Sequence, residues 1–164
     1  MKKLVSFLLA VCMLAACSVA FAMPKNVAYA NTIRFLQALE ADDINYSYLG
    51  IDQDDDEHVR LAFDDDVKIN FFFTEDNEEC NIRVWNLVEL NPESIEDAYR
   101  ICNELNNNYK FCTFYVDTSD NTVTMSMDLI LRDSDDVGDI CYEALIRVLR
   151  IYEKGHEALL AVAK

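Results

Sequence analysis

Cysteines are the residues of this chain best suited by type to do chemistry. A thiolate can serve as a nucleophile, a metal ligand or a redox partner, and spacing separates these roles. Cys102 and Cys112 stand ten apart in the stretch ICNELNNNYKFCTFYVD, around an asparagine-rich corner. Cys80 and Cys141 lie further off, and none of these cysteines shows the CxxC spacing of a zinc or dithiol site. Four cysteines allow three pairings, of which Cys102–Cys112 is one candidate. All four fall on inward positions of the surrounding helix and strand patterns. Free cysteine is among the most buried residue types, so small apolar core filling is the expected role. A disulfide is the alternative, and a zinc or redox site lacks its ligand spacing.

Acidic turns offer a second chemistry. Asp52, Asp54 and Asp56 copy the first three ligand positions of a calcium loop, as candidates for weak divalent-cation binding. The sixth position is Glu57 instead of glycine and the twelfth is Phe63 instead of glutamate, so the loop motif fails. DSDDVGD fails in the same way at Val137 and Ala144. Solvated hairpin tips that blunt sheet edges are the competing reading. The only histidines are His58 and His156, and His58 opens a strand beside acids, where a solvated surface position is expected. Gly50, Gly138 and Gly155 stand alone, so no glycine-rich phosphate loop exists. No nucleophile stands in pattern with a base. The chain reads as a non-enzyme with no cofactor and no catalytic residue.

The elements that position these residues follow from bulk and pattern. A chain of 164 residues with 52% apolar content holds one core-bearing domain. The net charge is −16; without Lys2 and Lys3 it is 12 basic against 30 acidic residues, or −18. Nucleic acid and acidic membranes would repel such a surface. Basic proteins, cations, or partners reached through local patches remain. The N-terminus, MKKLVSFLLAVCMLAACSVAFAMPKN, has two lysines, an uncharged run from Leu4 to Ala22 and small residues at a cut site. It reads as a secretory signal over 1–22, cut after Ala22, followed by a single domain over 23–164. The protein is then exported, to a bacterial periplasm or beyond. Two alternatives stand: Leu14-Ala15-Ala16-Cys17 resembles a lipobox that would acylate Cys17 and make an envelope lipoprotein with a structural role, and the run is long enough for a single membrane anchor. Signal removal takes Cys12 and Cys17 with it.

The fold class is α+β. Asn26 or Thr32 caps a first helix to about Ala41, with Ile33, Leu36 and Leu39 on one side. An antiparallel meander follows over 45–51, 58–63, 67–73 and 80–90, split by acidic turns. Alternate turns of a meander share an end, so DQDDDE and EDNEE should be neighbours. Asn91-Pro92 opens a second helix carrying Ala98, Cys102 and Leu105, which Asn106-Asn107-Asn108 should end through the left-handed tolerance of asparagine. Strands over 109–117 and 122–131 form a hairpin. Ser134 starts a long helix reaching toward Lys164, with Val137, Cys141, Ala144, Val148, Ile151, Gly155, Ala158 and Val162 on its buried stripe. Gly155 weakens that helix by about 1 kcal/mol and is a place for a bend.

The outward positions of the meander are the candidate binding surface. Strict alternation places Arg60, Lys68, Phe72, Arg83, Trp85 and Leu87 on the face away from the core, a cationic and aromatic strip on an acidic molecule. Trp and Arg are enriched in binding hot spots, so the strip would take a peptide or protein partner. Cover by the first helix is the competing reading. The apolar tail ALLAVAK either closes the core or forms a homodimer interface.

The stretch 101–131, ICNELNNNYKFCTFYVDTSDNTVTMSMDLIL, followed by a long helix, resembles the YbjN-like family. Asn103, Leu105 and Asn106 stand where the family has a helix end, Phe111 and Phe114 where it has strand aromatics, Asp117 and Asp120 where it has an aspartate turn. The match is best over 92–164 and looser over 27–91. That family resembles type III secretion chaperones in fold, α-β-β-β-α-β-β-α with an antiparallel sheet packed on helices. The resemblance implies a non-catalytic domain acting in regulation or protein binding, and it supplies no catalytic residues.

Overall fold

The computed structural model describes residues 23–63, 67–132 and 136–164. The signal-type segment with Cys12 and Cys17, and the expected cap at Ser134, lie outside the described residues. Period-two alternation builds six strands: β1 (Ser47–Ile51), β2 (Glu57–Phe63), β3 (Val67–Phe73), β4 (Glu79–Val84), β5 (Thr113–Asp117) and β6 (Thr122–Ile130). They form one antiparallel sheet in the order β1-β2-β3-β4-β6-β5. Among the described residues three α-helices accompany the sheet: α1 (Ala30–Ala41), α2 (Ile95–Asn108) and α3 (Val137–Leu159). Among the described residues no helix is long and apolar enough to cross a membrane.

One sheet face and the apolar stripes of all three helices share a single core. Val59, Leu61, Ile69, Phe71, Phe73, Cys80 and Ile82 alternate inward from the strands. The ring of Phe35 on α1 lies 4.6 Å from Phe71 and 5.6 Å from Phe73, centroid to centroid. Burial of each such ring contributes about 2–3 kcal/mol. Helices α1 and α3 pack closely because Gly138 has no side chain. A Cβ there would sit 2.8 Å from the backbone oxygen of Arg34. Ile33 is only half-buried, and Phe35 takes its expected place in the stripe of α1.

The four cysteines are all buried and all free thiols. Burial pushes the Cys102 thiol up to about 11 and Cys112 up to about 12. The Cys80 thiol is also held well above its ordinary value, by burial first and then by the neighbouring thiol of Cys141. Thiols so strongly held in the protonated form are poor nucleophiles and poor ligands. They fill space, as their inward positions led us to expect.

Several boundaries differ from the sequence reading, each for a local reason. Helix α1 begins at Ala30 with no side-chain cap of its own. Its first turn is served from the β3–β4 turn, where Asn77 Oδ1 accepts from the Asn31 N–H, while Glu57 at the first position of β2 accepts from the Ala28 and Tyr29 N–H groups just ahead of the helix. Strand β1 starts at Ser47 and β5 only at Thr113, so Cys112 sits just before its strand. A 3₁₀ turn, Pro92–Ser94, precedes α2, and the Asn91 side chain accepts from the Glu93 N–H. α2 ends at Asn108, the last asparagine of the run, but through an extended Tyr109 and with no left-handed asparagine. Asn106 instead bonds the backbone of β5, accepting from Phe114 N–H at 2.7 Å and donating to Phe114 C=O at 3.0 Å. It closes the outer edge of the terminal strand there. Helix α3 stops at Leu159, short of Lys164. The tail turns back beside residues 89–91: Leu90 and Ala163 form a bridge, and Asn91 N–H donates to the Val162 carbonyl. Val162 is buried, so the apolar tail closes the core of its own chain.

Candidate binding surface on the outer sheet face

The strand expected over 80–90 is interrupted at one point, and that break shapes the surface. β4 ends at Val84, and Asn86 adopts a left-handed backbone (φ 56°). Residues 87–90 then resume hydrogen bonding beside β6: Leu87 N–H donates to Val123 C=O, and Val123 N–H donates to Val88 C=O. A bulge of this kind shifts the side-chain alternation by one. Leu87 is therefore turned inward and buried, and it does not belong to the strip. Trp85, on the bulge itself, is left 44% exposed.

The other five predicted residues do share the outer face. Register aligns Ser47, Arg60, Asn70, Arg83, Ser126 and Thr113 in one row across all six strands. His58, Phe72, Asn81 and Asp128 form the next row. Lys68 is exposed on the same face, opposite Ala62. The His58 ring stacks on Phe72 at 4.3 Å, and Trp85 meets Phe72 edge-on at 5.7 Å. Three aromatic rings thus lie side by side on a sheet face. Helix cover was the competing expectation, yet Trp85 remains open and no helix residue contacts these rings among the aromatic pairs described.

Asn70 organises the polar half of this surface, and sequence reasoning passed it over. It is 1% exposed, although it points to the outer face. Its Oδ1 accepts from Arg60 Nε at 2.8 Å and from His58 Nε2 at 2.9 Å. Its Nδ2 donates to the carbonyls of Arg83 and Lys68 at 3.2 and 3.4 Å. Every polar atom of the buried amide is partnered, which holds Arg60 and His58 in fixed positions. Arg83 Nη1 donates to the Ile82 carbonyl at 2.9 Å and pairs with Asp128. The signal for Asn70 was its outward parity between Lys68 and Phe72, a small polar residue in the run VKINFFF.

His58 is also not the solvated residue its position suggested. It is half-buried, and desolvation above all holds its imidazole below the ordinary value; the Asn70 bond pulls it up, the charge of Arg60 adds to the lowering, and Asp52 raises it least. Because Oδ1 of Asn70 only accepts, the neutral ring carries its proton on Nε2. The folded state therefore binds fewer protons than the unfolded one near the ordinary histidine pKa of about 6.5. Stability contributed by neutral His58 is present above that pH and falls as pH drops through it. A proton-resolved NMR titration should place the His58 midpoint below about 6.5 in the folded chain. A midpoint at or above that value would show a solvated ring and break the stacked arrangement.

The acidic turns do converge, as the meander implied. Tyr29 OH donates to the Asp55 carbonyl and Asn31 bonds Asn77, so the N-terminus of α1 joins the β1–β2 turn to the β3–β4 turn. Burial and then neighbouring acids, Asp76 of the other turn among them, hold the Asp56 carboxyl above its usual range. The calcium-like triplet has another geometry, however. Asp52 Oδ1 accepts from the backbone N–H groups of Asp54 and Asp56, at 2.9 and 3.1 Å, and so fixes its own turn. Among the described residues, no three potential ligands converge to hold a metal ion.

Comparison with known proteins places this geometry among relatives. Residues 34–154 match the family model YbjN, described as "Putative bacterial sensory transduction regulator". A crystal structure of YbjN from E. coli superposes with a TM-score of 0.50 at 15% identity, covering 82% of this chain and 90% of that one. A chain of the ExsC–ExsE complex superposes with a TM-score of 0.54 at 17% identity, covering 80% of this chain and 96% of the other. No curated protein matches the chain. These likenesses establish the secretion-chaperone-like fold found here.

Proposed function

The chain belongs to the YbjN family, and from that premise we propose that it is a non-catalytic binding or regulatory module whose outer sheet face grips a protein or peptide. One observation carries the reading. Trp85 lies open against Phe72, whose other side stacks on His58, in the neighbourhood of Arg60 and Arg83, both held in place by bonds to the sheet. Rigid aromatic and arginine side chains with little rotamer freedom left to lose are what interface hot spots are made of. The fold supports the same reading, since ExsC is solved in complex with another protein, ExsE. The surrounding acidic surface would favour a partner with basic flanks, whose aromatic or aliphatic side chains meet Trp85. Export belongs to the proposal too, resting on the pattern of residues 1–22.

Affinity capture from the cell envelope, with the mature domain as bait, should return a defined partner. Trp85→Ala should then weaken that partner's binding by about 2 kcal/mol, roughly thirtyfold in Kd. The same substitution should leave the denaturation midpoint nearly unchanged, because the side chain is half-exposed. Unaltered capture by Trp85→Ala combined with Arg83→Ala would remove the outer face from the interface. Unfolding of the single variant would instead mean that Trp85 is structural.

A further inference from the structure

We infer that a groove on the helical side, remote from the outer sheet face, docks an acidic amphipathic peptide segment of a partner protein. This goes beyond the outer-face reading and does not rest on it. The groove runs between the α2–β5 connection and the middle of α3, with a volume of about 440 Å³. Lys110, Arg147 and Arg150 line it, and Glu143 is its one carboxylate. Twelve cations stand outside residues 1–22 against thirty acids, so three of the twelve gathered here make a local exception. Four of the other nine are paired with carboxylates: Arg83 with Asp128, Arg100 with Asp97 and Glu104, Lys154 with Glu157, Lys164 with Glu89. Among the described residues, no carboxylate pairs with Lys110, Arg147 or Arg150.

The floor explains why the occupant is a peptide. Phe111, a residue that the family resemblance singled out, is not in the core with Phe114. It is 66% exposed, and the Arg147 guanidinium lies 4.6 Å over its ring. Ile146 and Ile151 continue the apolar surface beneath. A free phosphate would use the cations and leave this floor in water. A nucleic acid would meet the repulsion of a chain at −16. A segment that alternates carboxylates with leucine or phenylalanine satisfies both halves of the groove. Its carboxylates take bidentate bonds from arginine, and its apolar side chains cover Phe111 and Ile146.

The probe is a short fluorescent peptide alternating glutamate with leucine and phenylalanine, titrated by polarisation into the full chain at physiological salt. Binding is expected, with at least about tenfold loss when lysine replaces glutamate in the peptide. Arg147→Glu with Arg150→Glu should also cost about tenfold or more, and the milder Arg147→Gln a smaller loss in the same direction. Lys25→Glu carries a charge change of the same sign and should leave the affinity unchanged. Its neighbour Asn26 bonds Tyr48 on β1, the sheet edge opposite β5. Absence of binding, or equal binding to the charge-reversed variant, overturns the proposal. So does an oligonucleotide that binds as tightly as the peptide, which would make the groove a general polyanion site. Light scattering that shows a dimer dissolved by Arg147→Glu overturns it in favour of a second copy of this chain.

Discussion

Replacing Glu57 with alanine is expected to lower the unfolding free energy by about 3 kcal/mol, from the loss of a buried carboxylate and of the three part-buried hydrogen bonds it accepts. Glu57 is fully buried on the inward face at the start of β2. Its Oε1 accepts from Ala28 N–H at 2.6 Å and from Tyr48 OH at 2.7 Å, and its Oε2 accepts from Tyr29 N–H at 3.0 Å. Tyr29 is the N-cap of α1 and supplies no capping bond from its own side chain. The carboxylate thus joins the entry of the first helix to β2 and to the edge strand β1. Its negative charge also lies at the positive end of the helix. Burial, followed by the bond to Glu57, raises the Tyr48 phenol above its ordinary value, so the hydroxyl stays protonated and donates. Glu57→Gln keeps the shape but turns an NH₂ toward at least one donor, and should cost about 1–3 kcal/mol. Urea denaturation measures both. A loss under about 1 kcal/mol for Glu57→Ala would show that water replaces the carboxylate and that the site is not dry.

Glu57 also shows where sequence stops being legible. In DQDDDEHVR it follows three aspartates and looks like the last acid of a solvated turn. Alternation does place it on the inward side with Val59 and Leu61, but composition argued the other way. What decides the matter is Ala28 and Tyr29, about thirty residues upstream, whose free N–H groups need an acceptor. No local pattern records that meeting. The strands and the burial of Cys80 were readable because period-two alternation is local and dense, and Cys102 and Cys141 because they fall on the apolar stripes of helices. The bulge was nearly readable: Asn86, a residue tolerant of positive φ, sits in the middle of a strand-like run. Missing it carried Leu87 to the wrong face while Arg83 and Trp85, before the shift, stayed correct. Asn70 and Asn106 were opaque for a different reason. Each is an asparagine whose role is set by a partner across the sheet or on a later strand: Arg60 and His58 for one, the free edge of β5 for the other. An amide side chain carries no periodic signature, so only register reveals what it bonds.

Gly155 was read as a weak point of the last helix, and its packing gives it the opposite meaning. The helix runs through it without a break, from Val137 to Leu159. A Cβ built on Gly155 would stand 2.4 Å from Cε1 and 2.7 Å from Cζ of Phe114, whose ring is 1% exposed. The glycine is thus the seat for that ring, and the contact docks α3 against β5. Two effects oppose each other in Gly155→Ala. Helix propensity favours alanine by about 1 kcal/mol, whereas overpacking a full core costs about 1–3 kcal/mol. The ring is held by surrounding core and by a strand whose backbone Asn106 clamps at the same residue. It has little room to yield, so overpacking should win and Gly155→Ala should destabilise by about 1 kcal/mol net. Gly155→Val adds volume and β-branching, and should lose about 3 kcal/mol. The discriminating measurement is a double-mutant cycle with Phe114→Leu, which alone should cost about 1–2 kcal/mol through lost packing. In that background the seat is partly vacant, and Gly155→Ala should become neutral or stabilising, a coupling of about 1–2 kcal/mol. Additive effects in the cycle would mean that the ring and the glycine do not meet. The helix would then owe its straight course past residue 155 to something other than this contact.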